Sequence, residues 1–257
     1  MAIVTLLTDS GDTDHYAAAI KAKIVSINPG LTIIDISHKI LPCDIAHGAF
    51  ILKNIFNDFP AGSVHLVGIE ATGNADTSSI AIRLEDHFFV GADNGLFGLI
   101  SDKTHQQAVD LNSINPIVST FPEKDIFAVA AAKLASGVAI TSLGKPIASF
   151  KKMIGRSVKA TRKLIAGHVI RVDNFGNLIT NISKSDFDIL SKDKTYTVQF
   201  ARERLRKINA AYHQAEQGDC FLIFNSLGLL EIGIYKGKAN ELLGMELDSA
   251  VNITFDE

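Results

Sequence analysis

Apolar runs at Ile3–Leu7, Leu31–Ile36 and Val64–Ile69 alternate along the chain with helical spacing of apolar residues over Asp14–Ile27 and Asp44–Phe56. Strand and helix repeated in this order predict βαβ units, and hence an α/β domain built on a mostly parallel sheet. Further strands are expected at Ser79–Leu84 and His87–Val90. A helix is expected at Lys124–Ser136, where Asp125 opens an alanine-rich stretch that Gly137 closes. From Thr141 to Arg162 the pattern breaks up around Gly144, Pro146 and Gly155 among scattered basic residues. Beyond it, β-type runs at Leu164–Val172, Leu178–Ile182, Thr195–Phe200, Cys220–Phe224, Leu229–Ile234 and Ala250–Phe255 recur with turn residues between them, as in a small barrel. The expected organisation is an N-terminal α/β domain over residues 1–145, an interdomain crossing over 146–163, and a smaller C-terminal β-barrel-like domain over 164–257.

Composition narrows the range of partners. The chain has 257 residues, 47% of them hydrophobic, enough for a large core in one or two domains. With a net charge of -3 and no long basic block, nucleic acid is not an expected partner. The short run Arg202–Lys207 reads as a solvated face. Cys43 and Cys220 form no CxxC pair, so neither a disulfide framework nor a thiolate metal site is expected. The eight histidines fall in no ligand spacing, so no metal is implied. No apolar run reaches membrane-spanning length and no charged leader precedes an apolar core, so a cytoplasmic protein without a membrane partner is expected.

Candidate chemistry concentrates at two places. In Val172–Ile182, a carboxylate and a carboxamide flank the glycine turn Asp173-Asn174-Phe175-Gly176-Asn177 between two β-type runs. Asp173 can accept from an ammonium, and Asn177 can donate to and accept from a purine edge. On its own the string reads first as a hairpin whose Asn and Asp residues serve the turn. At the other end, Asp9 follows the first strand directly. A carboxylate at the carboxyl end of a parallel strand sits where open α/β sheets bind ligands, and it suits a ribose diol.

These segments, with Gly91–Phe97, Thr120-Phe121 before Asp125-Ile126-Phe127, and Asn225–Ile232, resemble in order and spacing the S-adenosylmethionine hydroxide adenosyltransferase and halogenase family, from about Ile3 to Phe255. The resemblance implies a homotrimer whose sites join one subunit's N-terminal domain to a neighbour's C-terminal domain, and attack on C5′ of S-adenosylmethionine with release of methionine. S-adenosylmethionine is then substrate or ligand, and no separate cofactor is expected. Carried over residue by residue, Asp9 would hold the ribose hydroxyls, Phe121 would wall the sulfonium and ribose, Asp173 would take the methionine ammonium and Asn177 the adenine. Ser226 and the Leu227 amide would take the methionine carboxylate.

The departures from the family pattern bear on chemistry. Hydrolases of the family orient water with an Asp-Arg-His set; here Glu70 stands at the Asp position, Thr77 at or near the Arg position and Pro122 at the His position. Cys43 replaces an aromatic that walls the nucleoside in the halogenases. Glu70 alone, or Glu70 with Glu123 as a two-carboxylate site, could still orient water. Glu123 reads first as a solvated residue at a helix start. Its charge opposes halide binding, which disfavours halogenation. Two functions are therefore expected: slow or altered hydrolysis of S-adenosylmethionine to adenosine and methionine, or binding of an adenosyl ligand without chemistry.

Overall fold

A computed structural model describes residues 2–73, 77–114 and 116–256. The chain divides into two compact units, residues 1–155 and 156–257.

The first unit is a seven-stranded sheet covered by helices on both faces. Its strands are β1 (Ile3–Thr8), β2 (Thr32–Ser37), β3 (Val64–Gly68), β4 (Ser79–Leu84), β5 (His87–Ala92), β6 (Gln107–Asp110) and β7 (Lys145–Pro146). Its helices are α1 (Tyr16–Ile27), α2 (Ile45–Lys53), α3 (Phe97–Ile100) and α4 (Ala128–Ala135). The spatial order is β2-β1-β3-β5-β4-β6-β7. Pairing is parallel through the first four positions and antiparallel beyond. The parallel strands are buried on both faces: Val4 and Leu6 join Ile20, Ile24 and the alanines of α4 on one side. Leu7 joins Ala49 and Leu52 of α2 on the other. The connection from β1 to β2 carries α1 on one face, and that from β2 to β3 carries α2 on the opposite face. The chain therefore reverses direction at β1, whose carboxyl end is the switch point where such sheets hold ligands.

Inside this unit His65 is fully buried, bonded through Nδ1 to Thr5 Oγ1 at 2.7 Å and lying 3.2 Å from His87. Burial first, and the neighbouring His87 second, pull its pKa from 6.5 down to about 3. The folded state then binds fewer protons than the unfolded chain across that interval. Stability is complete above pH 6.5 and is lost as pH falls towards 3, at up to about 1.4 kcal/mol per pH unit for this group. Melting curves taken from neutral pH downwards should therefore fall more steeply for the wild type than for His65→Gln. Parallel profiles would exclude His65 as the titrating group.

The second unit is an antiparallel sheet of eight strands: β8 (Lys159–Ala160), β9 (Leu164–Val172), β10 (Leu178–Ser183), β11 (Thr195–Phe200), β12 (Glu203–Leu205), β13 (Cys220–Phe224), β14 (Leu229–Ile234) and β15 (Ala250–Asp256). Its order is β12-β11-β15-β9-β10-β14-β13, with β8 on β9. After the edge strand β12, Asn209 bridges to Ile223 on the opposite edge and its amide donates to Leu222 at 2.7 Å, so the sheet nearly closes. Short helices α5 (Lys184–Leu190) and α6 (Ala239–Leu243) cover it. Alternate residues Leu230, Ile232 and Ile234 of β14 fill the barrel core with Ile165, Val198 and Phe255. The basic stretch Arg202–Lys207 forms β12 and its flanks at the sheet edge.

Candidate functional site

At the switch point, β1 ends in Thr8 beside Gly68 of β3, and the next residue is Asp9. Its Oδ2 accepts two backbone amides, from Cys43 at 2.9 Å and Glu70 at 3.1 Å. Cys43 and Glu70 hold φ values of 60° and 44°, the left-handed region that non-glycine residues enter at a cost in strain. Two loops thus adopt an unfavourable backbone to aim donors at one carboxylate oxygen. Both of these bonds fall on Oδ2.

The residues flanking Asp9 are polar. Thr8 Oγ1 bonds Ser10 Oγ at 2.9 Å and His38 Nδ1 at 2.8 Å, tying the ends of β1 and β2 together. Phe121 is half-buried and packs edge-on against Tyr16, ring centroids 5.3 Å apart. Its amide donates to Ser119 Oγ, whose hydroxyl in turn donates to Asp125.

Pro122 is buried and starts a π-helical turn, Glu123–Phe127, that runs into α4; such turns inside helices are frequent at functional sites. The turn sets Glu123 over the carboxyl ends of β1 and β3. A Cβ at Gly68 would stand 2.8 Å from Glu123 Cγ and 3.2 Å from the Thr8 methyl, so only glycine there admits this side chain. Glu123 is therefore not the solvated helix-start residue that its place before Lys124-Asp125 allowed. Burial, and then the charge of Asp9, push its carboxyl above the usual range.

Of the other positions where the chain departs from the hydrolase pattern, Glu70 contacts Asp9 through its backbone amide. Thr77 lies against Gly73, with its Cβ 2.4 Å from where a Gly73 Cβ would stand. Asn74, Ala75 and Asp76 of the same loop lie outside the described residues.

In the second unit, Asp173 and Asn177 close a hairpin between β9 and β10. The Asp173 amide donates to the Asn177 carbonyl at 3.0 Å, and Asp173 Oδ1 accepts the amides of Phe175 and Asn177 at 2.9 and 2.8 Å. Gly176, at φ 81°, makes the turn; a Cβ there would strike Lys238 and Asn240. Phe175 is turned out to 74% exposure. These residues form one side of a cleft of about 670 Å³, with Tyr212, Phe221 and Tyr235 among the opposing walls. Ser226 and Leu227 do not line it. They sit on the exposed β13–β14 turn, where the Leu227 amide donates to Asn225 Oδ1 at 3.0 Å.

Motif reading did not single out Glu231, although it is the only charged residue in the apolar run Leu229–Ile234. Its neighbours Leu230 and Ile232 point into the barrel, so Glu231 and Gly233 face away from that core. Glu231 is only 3% exposed and gathers three donors: Asn177 Nδ2 at 3.0 Å and Tyr212 Oη at 3.1 Å on Oε1, and Asn225 Nδ2 at 3.0 Å on Oε2. Burial and the Glu231 charge hold the Tyr212 hydroxyl up to about 12, so it stays a donor at neutral pH.

Comparison with known proteins identifies this pair of units. SAM hydroxide adenosyltransferase N-terminal domain matches residues 4–144, and SAM hydroxide adenosyltransferase C-terminal domain matches residues 167–252. The chain belongs to the SAM hydroxide adenosyltransferase family. It is 31% identical to an (R)-S-adenosyl-L-methionine hydrolase of Methanocaldococcus jannaschii, over 98% of this chain and 96% of that one. A Thermus thermophilus protein of the same name is 27% identical over 95% and 96% of the two chains. A fluorinase of Actinoplanes sp. is 27% identical over 72% of this chain and 73% of its own. Among solved structures, an uncharacterized conserved protein from Thermotoga maritima superposes with a TM-score of 0.87 at 27% identity, over 98% of this chain and 99% of that one.

The family's two folds are thus both present. No helix among the described residues is long and apolar enough to cross a membrane. No group of three His, Cys, Asp or Glu side chains among them could hold a metal ion.

Proposed function

We propose that the protein is an S-adenosylmethionine hydrolase that forms adenosine and methionine. The observation that carries this reading is Asp9, pinned by two strained loops at the switch point with the half-buried Glu123 carboxyl beside it, in a chain that is full-length kin to proteins named (R)-S-adenosyl-L-methionine hydrolase. Asp9 takes the ribose hydroxyls, Phe121 walls the sulfonium, and the Asp173–Asn177 cleft takes the adenine and the amino-acid end. Ser226 completes the grip at the carboxylate, with the Leu227 amide exchanging its bond to Asn225. Water attacks C5′, the C5′–S bond breaks, and methionine leaves as a neutral thioether with the bonding pair. The proton released from water passes to Glu123, whose raised pKa makes it a stronger base than an ordinary carboxylate. Glu70 orients the same water.

A second reading, an adenosyl-binding protein without turnover, is favoured by Thr77 and Pro122 standing where the family's hydrolases carry Arg and His. Titration calorimetry with S-adenosylmethionine, followed by chromatography of the mixture, separates the two. The hydrolase reading expects binding and adenosine from the wild type, with no halogenated nucleoside when chloride or fluoride is added. Binding without product, with activity gained in a Thr77→Arg, Pro122→His double variant, would establish the second.

Neither unit alone carries the whole grip, and we propose a cytoplasmic homotrimer, as the resemblance implies. Light scattering should give three times the 27.7 kDa chain mass at all working concentrations. A persistent monomer would contradict it.

A further inference from the structure

The Glu231 cluster has no role in the chemistry at C5′, yet its buried carboxylate accepts from three side chains, of which Asn177 and Tyr212 line the cleft. A carboxylate accepts and does not donate. The Asn177 carboxamide must therefore turn its NH₂ towards Glu231 Oε1, at 3.0 Å, with Asp173 Oδ2 at 3.5 Å on the same nitrogen. Its Oδ1 is thereby fixed on the other side, over Gly233, where a Cβ would approach it to 2.8 Å. The same missing Cβ would come within 2.1 Å of the Phe221 ring. Gly233 thus makes room for an acceptor oxygen beside an aromatic face. Tyr212, held by the same Oε1, meets Phe221 edge-on with centroids 5.6 Å apart.

We propose that Glu231 is a positioning residue that fixes the polarity of Asn177, so that the cleft offers an acceptor to the base and selects a purine with an exocyclic amino group over one with a carbonyl. Free to rotate, an Asn carboxamide would present either end and read 6-amino and 6-oxo purines alike. With Glu231 in place, a 6-oxo purine sets one acceptor oxygen against another and leaves both without a proton. The inference rests on the adenosyl reading above, and the test keeps the two apart.

Adenosine and inosine share the ribose and differ in the purine 6-substituent, so the ratio of their Kd values reports the base alone. Calorimetry on the wild type should give an adenosine preference of about tenfold or more, as expected for a missing hydrogen bond. In Glu231→Gln one oxygen remains to accept, and the new amide competes for the Asn177 carbonyl. The preference should shrink to about twofold or less.

The ratio reads only folded molecules. If Glu231→Gln yields none, Glu231→Asp withdraws the carboxylate by one methylene and should lower the ratio in the same direction. A merely structural Glu231 would weaken both nucleosides equally and leave the ratio unchanged, which overturns the proposal. A wild type that binds adenosine and inosine alike overturns it too, with the adenosyl reading intact. A wild type that binds neither nucleoside removes both.

Discussion

Replacing Asp9 with alanine should weaken S-adenosylmethionine and adenosine binding by two to four orders of magnitude. Each ribose hydroxyl bond to a charged acceptor contributes about 1.5–3 kcal/mol, and both are lost together. A second cost falls on the protein. The amides of Cys43 and Glu70 converge on Asp9 Oδ2 from left-handed backbone conformations, and without that oxygen neither loop has a reason to keep its strain. Asp9→Asn should lose less, because its carbonyl can still accept both amides. Calorimetry that returned the wild-type affinity for Asp9→Ala would remove Asp9 from the site.

Glu123→Gln should leave binding within a few-fold of the wild type and lower kcat by about 10²–10⁴, the usual contribution of a positioned acid–base group. The pH profile carries the sharper signature. Burial and Asp9 raise the Glu123 pKa, so the basic form is lost at a higher pH than for an ordinary glutamate of 4.5. Wild-type kcat should climb with pH through that raised value. The climb should vanish in Glu123→Gln, whereas Glu70→Gln should retain it, because the Glu70 contact with Asp9 runs through the backbone. A profile unchanged by Glu123→Gln would move the base elsewhere.

The strands were legible wherever a run was apolar and bounded by turn residues. Ser79–Leu84, Leu164–Val172, Thr195–Phe200, Cys220–Phe224 and Leu229–Ile234 fall where periodicity put them. The elements that escaped are short or exposed. α3 and α6 span little more than one turn each, too few residues for a helical period to register. β12 is a polar edge strand with no buried face to declare it. α5 did carry a readable start, since Ser183 caps it by accepting the Asp186 amide.

At the site, Asp9, Asp173 and Asn177 stood out in the sequence by residue type and position, and Phe121 by the resemblance. The position of Glu123 did not, because a residue before Lys124-Asp125 reads as solvent-facing until a π-helical turn and the bare Cα of Gly68 are seen to draw it inward. Glu231 was within reach of the alternation rule: a lone carboxylate between core-facing Leu230 and Ile232 has to be bonded, and only the fold reveals that its donors are Asn177, Tyr212 and Asn225.

The hydrolase account is tested most directly by incubating the wild-type protein with S-adenosylmethionine in oxygen-18 water and analysing the nucleoside by mass spectrometry. Attack of water at C5′ predicts adenosine carrying one heavy oxygen at the 5′ position, together with unlabelled methionine. Recovery of intact S-adenosylmethionine after prolonged incubation, or adenosine without the label, would contradict it.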